Sequence, residues 1–157
     1  MSSAAMAALA VRCGLVLLFL PFSALDKVLN FEGAVRQASE TFPWRPLAIA
    51  AILCGLGIEV FMSLGIVTGV ADRACALAMA AYCAATAILW KRFWAQGDFW
   101  SDAGGRGRTL FWDFLKNLSL AAGFLLLTVG TDGSGLAVFL AHPLASSHPY
   151  AARMEKP

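Results

Sequence analysis

Arg12, Glu59 and Lys116 stand inside stretches that are otherwise apolar, and Glu59 is the one charge between Pro46 and Ala71. A lone carboxylate at the centre of a membrane-length helix costs about 2.5 kcal/mol or more. It persists where it meets a partner or a water-filled cavity. The chemistry these residues imply is therefore ion pairing, proton transfer or the holding of a polar ligand. A helix rises about 1.5 Å per residue, which puts Glu59 roughly 18 Å and Arg12 roughly 20 Å from the same end of the bundle. Matched depths predict a buried Arg12–Glu59 ion pair between the first two helices. Such a pair either fixes helix packing or takes part in proton transfer or ligand binding.

Asp113, Lys116 and Asn117 form a second polar group. Spacings of three and four put them on one face of a helix. One reading is a lysine that snorkels to the membrane surface beside a capping acid. The sharper reading is a pocket in which Lys116 and Asn117 donate and Trp90, Trp94 and Trp112 supply flat apolar walls, with Asp113 beside them. Such a pocket suits the carbonyls of a quinone or an anion.

The elements that must position these groups are transmembrane helices. The chain has 157 residues, of which 59% are hydrophobic and 14% charged, with a mean hydropathy of +0.69. A soluble domain carries about 25% charged residues. A span needs about 20 largely apolar residues, and four segments qualify, at about 7–25, 46–70, 72–93 and 109–129. The fold expected is all-α: an integral membrane four-helix bundle over 1–130, followed by a polar tail over 131–157. Residues 26–45 mix charge with an apolar spacing of Val28, Phe31, Val35 and Ala38. They predict a short amphipathic helix lying at the membrane surface between the first two spans. Gly69 and Asp72 mark a tight turn, so spans two and three run antiparallel. Gly65 and Gly69, with the alanines of the third span, predict close helix approach there. The tail after Gly130 reads as too short to span and poorly ordered.

All five tryptophans, Trp44, Trp90, Trp94, Trp100 and Trp112, fall at one end of the bundle. Indole favours the headgroup level because its ring is apolar and its N–H polar. Lys27, Arg36, Arg45, Lys91, Arg92, Arg106 and Arg108 gather at the same end, against Arg73, Arg153 and Lys156 at the other. The positive-inside rule puts the tryptophan end in the cytoplasm. The first segment has no basic residue before Arg12, so it is expected to stay as a helix rather than be cleaved as a signal peptide.

Several function classes drop out. The longest basic run is Lys91-Arg92 and the net charge is +2, too little for nucleic acid. Cys13, Cys54, Cys75 and Cys83 show no paired spacing and read as small apolar fillers. His142 and His148 both lie in the tail, outside the spans, so the bundle cannot hold a bis-histidine haem. No metal cluster, phosphate loop or Ser-His-Asp set is evident, so no intrinsic cofactor is expected.

The order of these features resembles the DoxX family of small four-helix bacterial membrane proteins. The resemblance rests on Arg12, Phe19 and Asp26-Lys27 in the first helix. It continues through Gly57-Ile-Glu59 and Gly65 to Arg73 in the second, and Phe114-Leu-Lys116-Asn117-Leu118 in the fourth. Family members often carry a histidine near the end of the third helix, where this chain has Trp90-Lys-Arg-Phe-Trp. The resemblance implies a multi-pass protein of the bacterial inner membrane and a thiosulfate:quinone oxidoreductase-like context. The redox cofactor would then belong to a membrane redox partner, and this chain would act as a quinone-interacting or accessory subunit. The alternatives are a structural scaffold that docks a partner, and a carrier of lipid or another small molecule.

Overall fold

The computed structural model describes residues 2–102, 104–130 and 133–151. Four helices are long and apolar enough to cross a membrane: α1 (Ser3–Leu29), α3 (Arg45–Thr68), α4 (Asp72–Ala95) and α5 (Arg106–Val129). Two short helices complete the described part, α2 (Phe31–Ser39) after the first span and α6 (Ser134–Ala141) after the last. The helical spans and the short helix between the first two are as the hydropathy pattern predicts. Arg153 and Lys156 of the tail lie outside the described residues.

Two spans depart from regular α-helix near Glu59. In α1 the helix is kinked within Leu18–Ser23, with Leu20 in an extended conformation and Pro21 following it. Proline has no N–H to give and crowds the preceding turn, so a local break is expected there. In α3 the residues Ile58–Met62, which include Glu59, form a π-type turn. Such bulges are uncommon and recur at functional positions. The two irregular turns touch each other across the α1–α3 seam.

The core lies between α1, α3, α4 and α5 around Phe19, Ile66, Met79, Cys83 and Phe124, all at most 4% exposed. Small residues decide how close the helices come. A Cβ on Gly65 would sit 2.4 Å from Cys75 Sγ, so α3 and α4 can meet there only across glycine. The turn between them has Gly69 at φ +81° and Ala71 at φ +46°. The most extensive helix contact is α4 against α5.

The connector differs in detail from its expectation. Val28 belongs to α1 and is 59% exposed, whereas Phe31, Val35 and Ala38 of α2 pack on Ala48, Ile49 and Ile52 of α3. Helix α2 therefore folds back along the start of α3 and forms a wall of the bundle, because its apolar stripe finds an apolar partner on α3. The tail differs more. Its described part is packed on the bundle end near the Gly69–Asp72 turn, where Ser146 Oγ donates to Gly69 O at 2.6 Å. Pro149 lies against Gly69, and the Tyr150 hydroxyl donates to Val67 O. Burial raises the Tyr150 phenol above its ordinary value, so the group keeps the proton it donates.

Candidate functional site

Glu59 is 1% exposed, and its carboxylate is held from three directions. Lys27 Nζ reaches both oxygens, at 2.8 and 3.0 Å. Ser23 Oγ and the Tyr82 hydroxyl each donate to Oε1 at 2.9 Å. Lys27 also donates to Ser23 Oγ at 2.6 Å. Ser23 and Lys27 lie one turn apart on α1, which puts them on one face. The irregular turns bring that face to Glu59, and α4 presents Tyr82 from the third side. All three protons of the Lys27 ammonium are thus occupied within the protein.

A second pair lies toward the other end. Arg12 Nη2 is 2.6 Å from Asp72 Oδ2, and the two residues are 5% and 0% exposed. Arg12 also donates to Ile66 O at 2.7 Å and to Ser147 Oγ at 3.0 Å. Ser147 in turn gives its backbone N–H to Asp72 Oδ1 at 2.8 Å and its hydroxyl to Oδ2.

The predicted Arg12–Glu59 pair is therefore corrected: both residues are buried and paired, but with Asp72 and Lys27 respectively. The depth count went astray because it gave α1 and α3 a common end level. Helix α2 packs along Ala48, Ile49 and Ile52 at the start of α3, and α1 ends at Leu29 beside the middle of α3. Lys27 thus stays inside the bundle at the level of Glu59. Arg12 lies roughly 22 Å further along α1, level with the turn that leads into Asp72.

The Glu59 cluster borders a cavity of about 150 Å³ between α1, α2, α3 and α4, lined by Lys27, Ala38, Gly55, Tyr82, Thr86, Trp90 and Lys91 among others. Phe42 meets Trp90 edge to face at 6.2 Å. Buried side-chain atoms Trp90 Nε1 and Thr86 Oγ1 have no hydrogen-bond partner among the described residues. A buried donor without a partner costs about 1–3 kcal/mol, and both atoms belong to residues that line the cavity.

The six residues predicted to form a quinone pocket do not converge. Trp90 lines the cavity. Lys116 is 72% exposed at the side chain and lies 3.4 Å from Asp113, whose other oxygen is 3.3 Å from Lys91 Nζ. Asn117 Nδ2 donates to Asp113 O of its own helix at 2.9 Å. Trp94 and Trp112 are 54% and 56% exposed and pack edge to face on Phe93 and Phe111. Spacing correctly put Asp113 and Lys116 on one face, but α5 turns a different stripe inward: Ala121, Phe124 and Thr128. Continued one turn back, that stripe passes through Asn117 and not Lys116. The residues that sequence reasoning missed are Ser23, Lys27, Asp72, Tyr82, Thr86 and Ser147. Lys27 carried a signal, since it sits one turn from Ser23 and two residues past the end of the apolar run at Leu25. Tyr82 carried another, as the one aromatic in the alanine-rich stretch 74–87 of α4.

Known proteins support the same architecture. The family model described as DoxX matches residues 7–92, which covers α1 to α4 and stops before α5. The inner membrane protein YphA of Escherichia coli (strain K12) is 30% identical over 126 residues, covering 80% of this chain and 84% of that protein. No solved structure matches.

Proposed function

The chain belongs to the DoxX family and is a multi-pass protein of the inner membrane, and from that premise we propose that it is an accessory subunit of a membrane redox system, holding the head of a quinone in the cavity beside Glu59. The observation that carries this reading is the pairing of apolar walls with two unmatched donors, Trp90 Nε1 and Thr86 Oγ1. A quinone head is flat, apolar on its faces and accepts hydrogen bonds at its two carbonyl oxygens, which is the complement of that lining. Lys91, held to Asp113 at 3.3 Å, also lines the cavity and is an additional donor. Glu59 is reached from the cavity through the Tyr82 hydroxyl and is the group that would carry a proton. The electrons would come from a partner protein that holds the redox cofactor.

The test is retention. The protein would be purified in mild detergent from native membranes, and the quinone per chain and the co-eluting proteins measured by mass spectrometry. Trp90→Phe with Thr86→Val removes both donors and keeps the walls aromatic and apolar. It is expected to lower retained quinone about tenfold, the value of roughly 1.4 kcal/mol. Lys116→Met should leave retention alone. Equal retention in the cavity variant, or a protein free of quinone, would overturn the reading.

A second reading is a scaffold. The row Phe99, Trp100, Phe111 and Trp112 favours it, because Trp100 is 89% exposed. If that row docks a partner, Trp100→Ala should release the partner while quinone stays bound.

A further inference from the structure

Next to the cavity, and sharing Gln37, Trp90 and Lys91 with it, lies a wider polar recess of about 330 Å³. Its wall brings together Lys91, Arg92 and Arg106, with Glu40 as the acid among them. Lys91 is held to Asp113 at 3.3 Å, but Arg92 and Arg106 have no ion-pair partner among the described residues. Gln37, Thr41 and Gln96 also face the recess, and their side chains make no hydrogen bond among the described residues. Three cations against one carboxylate leave the recess positive, and most of its donors are unmatched. Asp98, the nearby acid of the 96–105 loop, is engaged elsewhere, accepting the Gly107 N–H at 3.0 Å.

The place of the recess in the fold narrows the ligand. Lys91 caps the C-terminal end of the regular part of α4, and Arg106 is the first residue of α5. Both therefore stand where membrane-spanning segments begin or end. The tryptophans gather at this same end, and indole rings mark the headgroup level of a bilayer. Planar guanidinium groups fit the oxygens of a phosphate by paired N–H donors, which a carboxylate-lined or neutral recess could not offer. Trp90, shared with the apolar cavity, gives the recess one apolar wall.

We propose that this recess binds the phosphate head of an anionic lipid, with Arg92 and Arg106 as the principal contacts and Lys91 as the third. The recess shares Gln37, Trp90 and Lys91 with the neighbouring cavity, but its principal contacts, Arg92 and Arg106, line the recess and not the cavity.

The experiment uses the full chain in a neutral detergent. Native mass spectrometry would compare phosphatidylglycerol with phosphatidylcholine, and thermal unfolding would be followed with either lipid or with inorganic phosphate at constant ionic strength. Phosphatidylglycerol is expected to bind and to raise the unfolding midpoint, with phosphatidylcholine at least tenfold weaker. Arg92→Gln with Arg106→Gln should weaken phosphatidylglycerol tenfold or more. Arg92→Lys with Arg106→Lys should lose less, and Arg45→Gln, which breaks only an exposed pair with Glu32, should lose nothing. The midpoint without lipid reports whether each variant is folded. Equal binding of the two lipids, or full binding by the folded glutamine variant, would overturn the proposal. Stabilisation by inorganic phosphate with none by phosphatidylglycerol would overturn the lipid assignment and leave a free phosphate as the ligand.

Discussion

Arg12–Asp72 and Lys27–Glu59 are both cation–carboxylate pairs inside an apolar bundle, but their surroundings differ. Around Arg12 and Asp72 every neighbour is protein: the Ile66 carbonyl, the Ser147 hydroxyl and the Ser147 N–H. Asp72 accepts three hydrogen bonds there, and both residues are at most 5% exposed. Lys27 and Glu59 are equally well bonded to each other, yet the Tyr82 that completes their set is also a wall of the cavity. The difference teaches that a buried charge is not by itself a sign of function. A pair closed on all sides by the chain acts on packing; a pair that borders a cavity with unmatched donors can also act on a ligand.

This comparison can be broken most sharply at Asp72. Asp72→Asn leaves Arg12 charged and buried, and such a loss costs roughly 3–5 kcal/mol. A large fall in the unfolding midpoint is expected, with quinone per folded chain unchanged. Arg12→Gln combined with Asp72→Asn should recover part of the loss, because no buried charge then lacks its partner. Arg12→Gln combined with Glu59→Gln should not recover anything, since those two belong to different pairs and distant losses add. Recovery in that last double variant would restore the Arg12–Glu59 pairing that depth counting suggests.

Glu59→Gln should come next in size. Lys27 is 18% exposed at the side chain, so its stranded charge can turn toward the cavity, and a loss of about 3 kcal/mol is expected, the low end for a buried pair. Here the ligand readout must move as well. If Glu59→Gln shifts stability and leaves retention per folded chain as it was, the two pairs are alike and the contrast between them fails.

The reason the pairs were half legible in the sequence is physical. Apolar runs of bilayer length fix where the spans are, and an ionisable residue within one must be buried and paired; both inferences rest on transfer costs that context hardly alters. Choosing the partner needs the exact end of each helix. Lys27 sits past the run that a hydropathy window detects, and the irregular turns at Leu18–Ser23 and Ile58–Met62 rotate side chains in a way that a uniform rise of about 1.5 Å per residue cannot show. The tail was harder still. Nothing in Ser146, Ser147 and Tyr150 marks them as partners of a turn more than seventy residues earlier.

That tail supplies a smaller test of the same contrast. Ser147→Ala removes a hydroxyl that bridges Arg12 and Asp72, and leaves the backbone bond to Asp72 in place. A net loss of about 1–2 kcal/mol is expected, visible as a lower unfolding midpoint. A loss near zero would mean that the tail rests on the bundle without closing the pair.

The smallest effect belongs to Lys116, and its smallness is informative. Its ammonium is exposed and 3.4 Å from Asp113, one turn away on the same helix. Exposed pairs of this kind contribute roughly 0.2–1 kcal/mol, so Lys116→Met should leave both stability and ligand retention within error. Lys91→Met changes the other cation that Asp113 serves, and that residue lines both the cavity and the recess. It should therefore lower ligand retention although the ion pair it breaks, at 3.3 Å, is hardly shorter than the 3.4 Å pair of Lys116. If Lys116→Met had the larger effect of the two, the site would have to be moved to the outer face of α5, where spacing alone first suggested it.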